Sequence, residues 1–471
     1  MQNILFFLLT LLICSPELLF ALSITAYPNI ARLPTSFDPV IPAYWTGFKN
    51  RRRVNLACAP TKKLCYLAYL DTDEETVLVL TLNSVTFKPT CAAVRIKGHE
   101  AGGLVGLDDG FVLLTTVPQN AGDKVRKLAT MVRFQGTQKL WETRLNGPKI
   151  HPKDGLTETP DCNGDVVWSP KAKLFAAYFV VTAYTGRATQ HFADAVQYVR
   201  EDGTLVDIPE NSWWGCSHNT GIAFEAADEP PFASICAEDQ GAIWLNTKTR
   251  GMSNDGIKIS NENTTNGSGG EAMNGMGGSF SNLARFQNSD SYIFAWQSRG
   301  STNLAPNAFM GEGYTTSSPR WLNHNVAVAI LPTKDTLKGP QASSEIGAAD
   351  GDKQINWLTY SNEVDTRNVH VATFNDKLAL VSWDRLTKIK CEPLPMTCMG
   401  AYDGTAFQLV TAEGAKNGAP IIKDIPVGGD MVTLEDGKIC WAYVPTTWDL
   451  STPKTSNFTT DTISIACATL D

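Results

Sequence analysis

Two adjacent tryptophans followed closely by a histidine make Ser212-Trp213-Trp214-Gly215-Cys216-Ser217-His218-Asn219 the segment best suited to chemistry. Paired indole faces suit the stacking of a sugar ring, and His218 can donate, accept or carry a proton near neutral pH. The same residues also serve structural ends: a Trp packed between sheets, a bridged Cys216, and a His that caps a strand. Hydrolysis of glycosides needs two carboxyls across a cleft, for which Glu100 and Asp161 are the candidates. Lyase chemistry needs a base and a cationic clamp on a substrate carboxylate, for which His218, Arg367 and Arg299 would serve.

Other chemistries lack their residues. The sequence has no Gly-x-Ser-x-Gly elbow and no His-Glu-x-x-His pair, which argues against an esterase or a zinc protease. No Cys-x-x-Cys pair is present, so no metal is expected, and no cofactor either. Asp71-Thr72-Asp73-Glu74-Glu75 reads as an exposed acidic hairpin before it reads as a cation site.

The elements that must position these residues are hairpins, recurring with turn centres about sixty residues apart. Copies begin at Val54–Cys58, Leu104–Leu107, Val166–Trp168, Gly221–Phe224, Phe280–Phe286, Val369–Phe374 and Met431–Leu434. Each runs through a polar turn into a second strand rich in aromatic and β-branched residues, such as Tyr292-Ile293-Phe294-Ala295-Trp296. Period-two alternation and this spacing predict an all-β fold, a single β-propeller of about seven four-stranded blades. Six or eight blades also fit, and a pair of β-sandwiches is the alternative architecture. The seventh copy runs out after three strands. Because a ring must close to hide its edges, a strand near the N-terminus should supply the fourth. Long insertions are expected at 249–278, a Gly, Asn and Ser-rich loop, and at 299–325. Trp296 should be a blade-core residue, and the second insertion should overhang the channel mouth.

Over the whole chain after residue 23, the pattern resembles secreted β-propeller proteins. Tryptophan-aspartate, kelch and quinoprotein docking repeats are not matched in phase. Asp239-Gln240-Gly241-Ala242-Ile243-Trp244 is similar to the sialidase box Ser-x-Asp-x-Gly-x-x-Trp, with Ala237 in place of its serine and no other copy. The propeller resemblance implies that loops entering the innermost strands share one face with loops joining second to third strands. That face would gather Arg51, Arg53, His99, Glu100, Asp161, Trp213, Trp214, His218, Met276, Arg367 and His370. Arg187, His191, Arg299, Arg320, Trp321 and His324 would join them from second-to-third connections.

The apolar run from Ile4 to Ile13 and Leu18 to Leu22, ending at Ala21-Leu22-Ser23, reads as a signal peptide over 1–23. Ten cysteines follow it, an even count that in an exported chain implies disulfides, with Cys58–Cys65 and Cys391–Cys398 as local staples. Asn263, Asn266 and Asn457 lie in glycosylation sequons. A net charge of −8 argues against a nucleic-acid partner, and no later segment is long and apolar enough to span a membrane. The basic triplet Arg51-Arg52-Arg53 reads as a solvated strand entrance, with proteolytic processing as an alternative. Together these point to a secreted monomer that binds carbohydrate or another extracellular ligand through Trp213, Trp214 and Trp321. The alternative is a glycoside- or polysaccharide-active enzyme, and a protein scaffold is a third reading.

Overall fold

Apolar and polar residues alternate between turn formers, and the chain folds as short antiparallel strands throughout. The computed structural model describes residues 21–42, 49–120, 127–147, 149–150, 156–157, 164–183, 192–208, 222–238, 242–247, 256–262, 282–306, 315–348, 352, 354–392, 397–446 and 454–471. Its sheets form seven four-stranded blades in chain order. Blade one holds Asn55–Cys58, Leu64–Leu70, Thr76–Asn83 and Val94–Lys97. The innermost strands of blades two to seven are Gly103–Leu107, Gly164–Ser169, Ile222–Glu225, Leu283–Arg285, Asp365–Thr373 and Met431–Thr433.

The ring closes as the sequence predicts. Blade seven pairs Met431–Thr433, Ile439–Tyr443 and Thr460–Leu470, and its fourth strand is Leu22–Phe37. Leu22 lies opposite Leu470 and Tyr27 opposite Ile465, so the first and last described strands share one sheet. Residues 1–20 of the expected signal segment 1–23 lie outside the described residues, whereas Leu22 and Ser23 begin the closing strand. Among the described residues, no helix is long and apolar enough to cross a membrane.

Every junction between neighbouring blades has its own apolar core. Leu67, Leu80, Ile463 and Ile465 fill the seam between blades one and seven. Phe111 packs with Tyr66 between blades one and two, and Val112 with Phe175 and Phe179 between two and three. Equivalent clusters follow around the remaining junctions. Trp296 is fully buried in the fourth-to-fifth junction, stacked on Phe294, as expected of a blade-core residue.

Three disulfides, Cys58–Cys65, Cys391–Cys398 and Cys440–Cys467, each join residues directly opposite one another on paired strands. Cys236 is also bridged, whereas Cys91 is exposed and free. Two readings need revision. Ile257–Asn261 lies in the stretch that reads as a loop but forms the outer strand of blade four, because Ile259 packs into the junction with blade five. The triplet Arg51-Arg52-Arg53 is not solvated: Arg52 and Arg53 are buried, and only 6% of the Arg51 side chain is exposed, because each guanidinium meets a carboxylate.

Phe37 is fully buried against Tyr69 of blade one, so it fastens the closing strand to the next blade. Phe37→Ala should cost about 3–5 kcal/mol in urea unfolding. An unchanged midpoint and slope would mean that the closing strand adds little to the ring.

Candidate functional site

Glycines at the entrances of the inner strands allow unusually close backbone approach. A Cβ on Gly429 would lie 2.1 Å from the Val54 carbonyl oxygen, and one on Gly103 would lie 2.7 Å from the Val166 nitrogen. Into the space they leave at the ring axis projects Arg53, whose Nη1 donates to the carbonyls of Gly102 and, at 2.7 Å, Gly164. Its Nη2 donates to both Asp430 oxygens at 2.8 and 3.0 Å and to Asp165 Oδ1 at 3.2 Å. One guanidinium thus faces two carboxylates, and Asp430 takes the greater share.

Burial pushes the Asp165 carboxyl up; Arg53 pulls against this, while Asp430 and Glu225 push the same way as burial. Its side chain keeps 20% exposure toward the channel, so that burial is partial. Glu225, at the end of the inner strand of blade four, is pushed up to about 7 by burial, against the Ala226 N–H and Arg285. These two carboxyls can therefore exchange protons near neutral pH, as acid–base chemistry requires.

A second group lies between blades five and six. His324 Nδ1 sits 2.6 Å from Asp365 Oδ1, and Arg367 Nε donates to Asp365 Oδ2 at 2.9 Å. Burial would raise the Asp365 carboxyl, but His324 and Arg367 outweigh it and hold the group well below the usual carboxylate range. Ligand-type atoms of His324, Asp365 and Cys398 lie within 4.8 Å of one another. Cys398 is bridged to Cys391, however, and a disulfide sulfur cannot act as the thiolate ligand that a metal would take there.

The third group is an aromatic face. Trp321 meets Trp357 at 4.9 Å and Tyr360 at 5.5 Å, both edge-on. Tyr360 is 68% exposed and Trp357 is buried, so one ring backs the pair and another presents it to solvent. The Arg320 guanidinium lies over Trp321 at 5.9 Å and pairs with Asp352.

The sequence-named residues thus fall at separate places. His99 Nδ1 donates to the Glu74 carbonyl at 2.7 Å, and half-buried Glu100 follows it at the entrance to blade two. His370 is buried in blade six, 3.0 Å from Asn368 Oδ1. Arg299 is fully buried beside Cys398. The contact of His99 with Glu74 places an inner-strand entrance beside a second-to-third turn, as the propeller reading requires. Asp161, Trp213, Trp214, His218, Asn263 and Asn266 lie outside the described residues, as do Arg187, His191 and Met276. Asn457 is exposed. Asp165, Glu225 and Asp430 were not singled out from the sequence. Gly164-Asp165, which opens the inner strand of blade three, and Gly429-Asp430, just before that of blade seven, are the Gly-Asp steps that could have found two of them.

No family model matches the sequence, and no curated protein matches it. Solved structures similar to it include a subtype N10 neuraminidase-like protein of A/little yellow-shouldered bat/Guatemala, at 8% identity over 96% of this chain and 100% of that one, TM-score 0.35. BamB from Moraxella catarrhalis is similar at 9% identity over 95% and 97% of the two chains, TM-score 0.37. A PL25 ulvan lyase is similar at 10% identity over 89% and 81%, TM-score 0.37. Likeness this distant says nothing of what the chain does.

Two predictions follow from the axis. Arg53→Met leaves Asp165 and Asp430 facing each other without a cation, and should cost about 3–5 kcal/mol at pH 8. The loss should shrink at pH 5, where protonation relieves the repulsion; equal losses at both pH values would count against the clamp. Glu225 holds its proton more tightly folded than at its ordinary value of 4.5. Its contribution to stability is therefore full below that pH and lost as pH rises toward about 7. Glu225→Gln keeps an acceptor for the Ala226 N–H, so its melting temperature should fall less than wild type between pH 5 and pH 8. Parallel pH profiles would show that Glu225 titrates normally.

Proposed function

We propose that this protein is a binding propeller that takes a saccharide on the aromatic face of Trp321 and Tyr360. One observation carries the reading: the exposed Tyr360 ring set edge-on to half-buried Trp321, backed by Trp357 and flanked by the Arg320–Asp352 pair. An apolar ring face bordered by fixed polar groups suits the CH-rich face and the hydroxyls of a pyranose together. The disulfides and the exposed sequon at Asn457 support an exported chain, where such ligands occur. The adjacent indoles of Trp213 and Trp214, outside the described residues, are of the type that could add a second stacking surface.

Glycan-array screening followed by calorimetry on the best oligosaccharide tests this. Trp321→Ala and Tyr360→Ala should each weaken binding about tenfold or more. Wild-type affinity in the double variant, with loss in Trp213→Ala/Trp214→Ala instead, would move the site away from blade five.

An enzyme acting on glycosides or polysaccharides is the second reading, favoured by the raised carboxyls of Asp165 and Glu225 at the axis. In that role one carboxyl would protonate the leaving oxygen while a second group activated water or took a proton. Release of reducing ends or unsaturated products from oligosaccharides, abolished in Glu225→Gln but retained in Trp321→Ala, would favour this reading over binding alone.

A further inference from the structure

We infer that Cys391–Cys398 is a thiol–disulfide exchange site, opened by attack on Cys391 with Cys398 leaving as a stabilised thiolate. This goes beyond the saccharide reading and does not depend on it.

The two sulfurs have unlike surroundings. Cys391 is partly exposed near the end of a long strand of blade six, whereas Cys398 is buried to 1% exposure. The guanidinium of Arg299, itself fully buried, places Nη2 3.7 Å from Cys398 Sγ. On the other side, His324 and Asp365 bring their ligand-type atoms within 4.8 Å of the same sulfur. Arg367 also reaches this group, donating to Asp365 and to the Cys398 carbonyl at 2.6 Å. Among the described residues, the charged groups around the sulfur are two guanidinium cations and one carboxylate, with His324 beside them, while the uncharged Leu322 carbonyl oxygen lies 3.4 Å from the sulfur. The nearby Lys390 and Glu392 pair with each other at 3.4 Å. The balance at Cys398 is positive.

A positive, buried setting lowers a thiol's pKa and makes it a better leaving group in exchange. Access and leaving ability are thereby divided between the two ends of one bond. A thiolate from an external dithiol forms a bond to Cys391 Sγ, the sulfur–sulfur bond breaks, and its electron pair departs on Cys398 Sγ. The reagent's second thiol then displaces Cys391 as thiolate, which takes a proton from water, and the reagent closes into its own disulfide. Two electrons pass from the dithiol to the cysteine pair.

Cys58–Cys65 is an internal control. It has the same sequence separation of 7, a partly exposed first cysteine and a fully buried second. Among the described contacts, no guanidinium approaches either of its sulfurs, nor those of Cys440–Cys467. Accessibility alone therefore predicts like rates for Cys58–Cys65 and Cys391–Cys398.

The native full chain is treated with dithiothreitol without denaturant, quenched with iodoacetamide at intervals, and mapped by peptide mass spectrometry. Cys391 and Cys398 should be alkylated about tenfold faster than Cys58 and Cys65, and glutathione should be trapped on Cys391 rather than Cys398. Arg299→Met should bring the rate to within about threefold of the control bond, and Arg299→Lys should restore part of the difference. Should Arg299→Met not fold, the wild-type ranking and the position of the glutathione adduct decide alone. Equal rates for the two bonds, glutathione on Cys398, or an unchanged rate in folded Arg299→Met would each overturn the inference.

Discussion

A single buried cation, Arg53, ties the inner edges of four blades at the ring axis. It belongs to the entrance of blade one and reaches carbonyls of blades two and three and the carboxylate before blade seven. A buried guanidinium is costly unless its donors are met, and here backbone carbonyls and two carboxylates meet them together. The close approach of Gly103 to Val166, and of Gly429 to Val54, brings those acceptors within reach. The pair Arg51–Asp384, also buried, fixes the same entrance segment to blade six. Adjacent arginines thus fasten one short stretch of chain across the ring, near the seam where its ends meet.

With the axis fixed by polar contacts, the blade junctions need only apolar packing. Each has its own core of alternating residues, so the ring is held in wedges rather than around one centre. This division leaves the connections free to differ. Blade five uses its long second-to-third connection to bring Arg320 and Trp321 to the aromatic face and to bury His324 in the Asp365 network. The strands thus carry the folding contacts, while the connections are where the blades differ.

Hairpins were legible because short apolar runs between turn formers are a local signal: Leu64–Leu70 and Tyr292–Ser298, buried on both faces, declare themselves within a few residues. Closure was legible too, since a three-stranded last copy leaves an edge that something must cover. Ile257–Asn261 was hidden by its polar Lys258, whose ammonium is buried over Trp244 and hydrogen-bonded to Thr315 and Ser344. The axial site was not legible because its members are far apart in the chain: Arg53 and Asp430 are separated by 377 positions. Charge patterning misled for the same reason. Three consecutive arginines look solvated until the ring supplies Asp384, Glu74 and Asp430 as partners.

The closing strand has a consequence for the order of events in folding. Leu22–Phe37 leaves the ribosome before every other described blade strand, yet its partner Thr460–Leu470 leaves after all of them, with a side chain–backbone contact spanning 435 positions. Until Thr460–Leu470 has been made, the earliest strand has no ladder to join, and the seam between blades one and seven stands open. Such distant pairing is slow to form. Six junctions can form before Thr460–Leu470 is made, and the seventh only after it. Until then the unfinished ring keeps open the strand edges that closure hides.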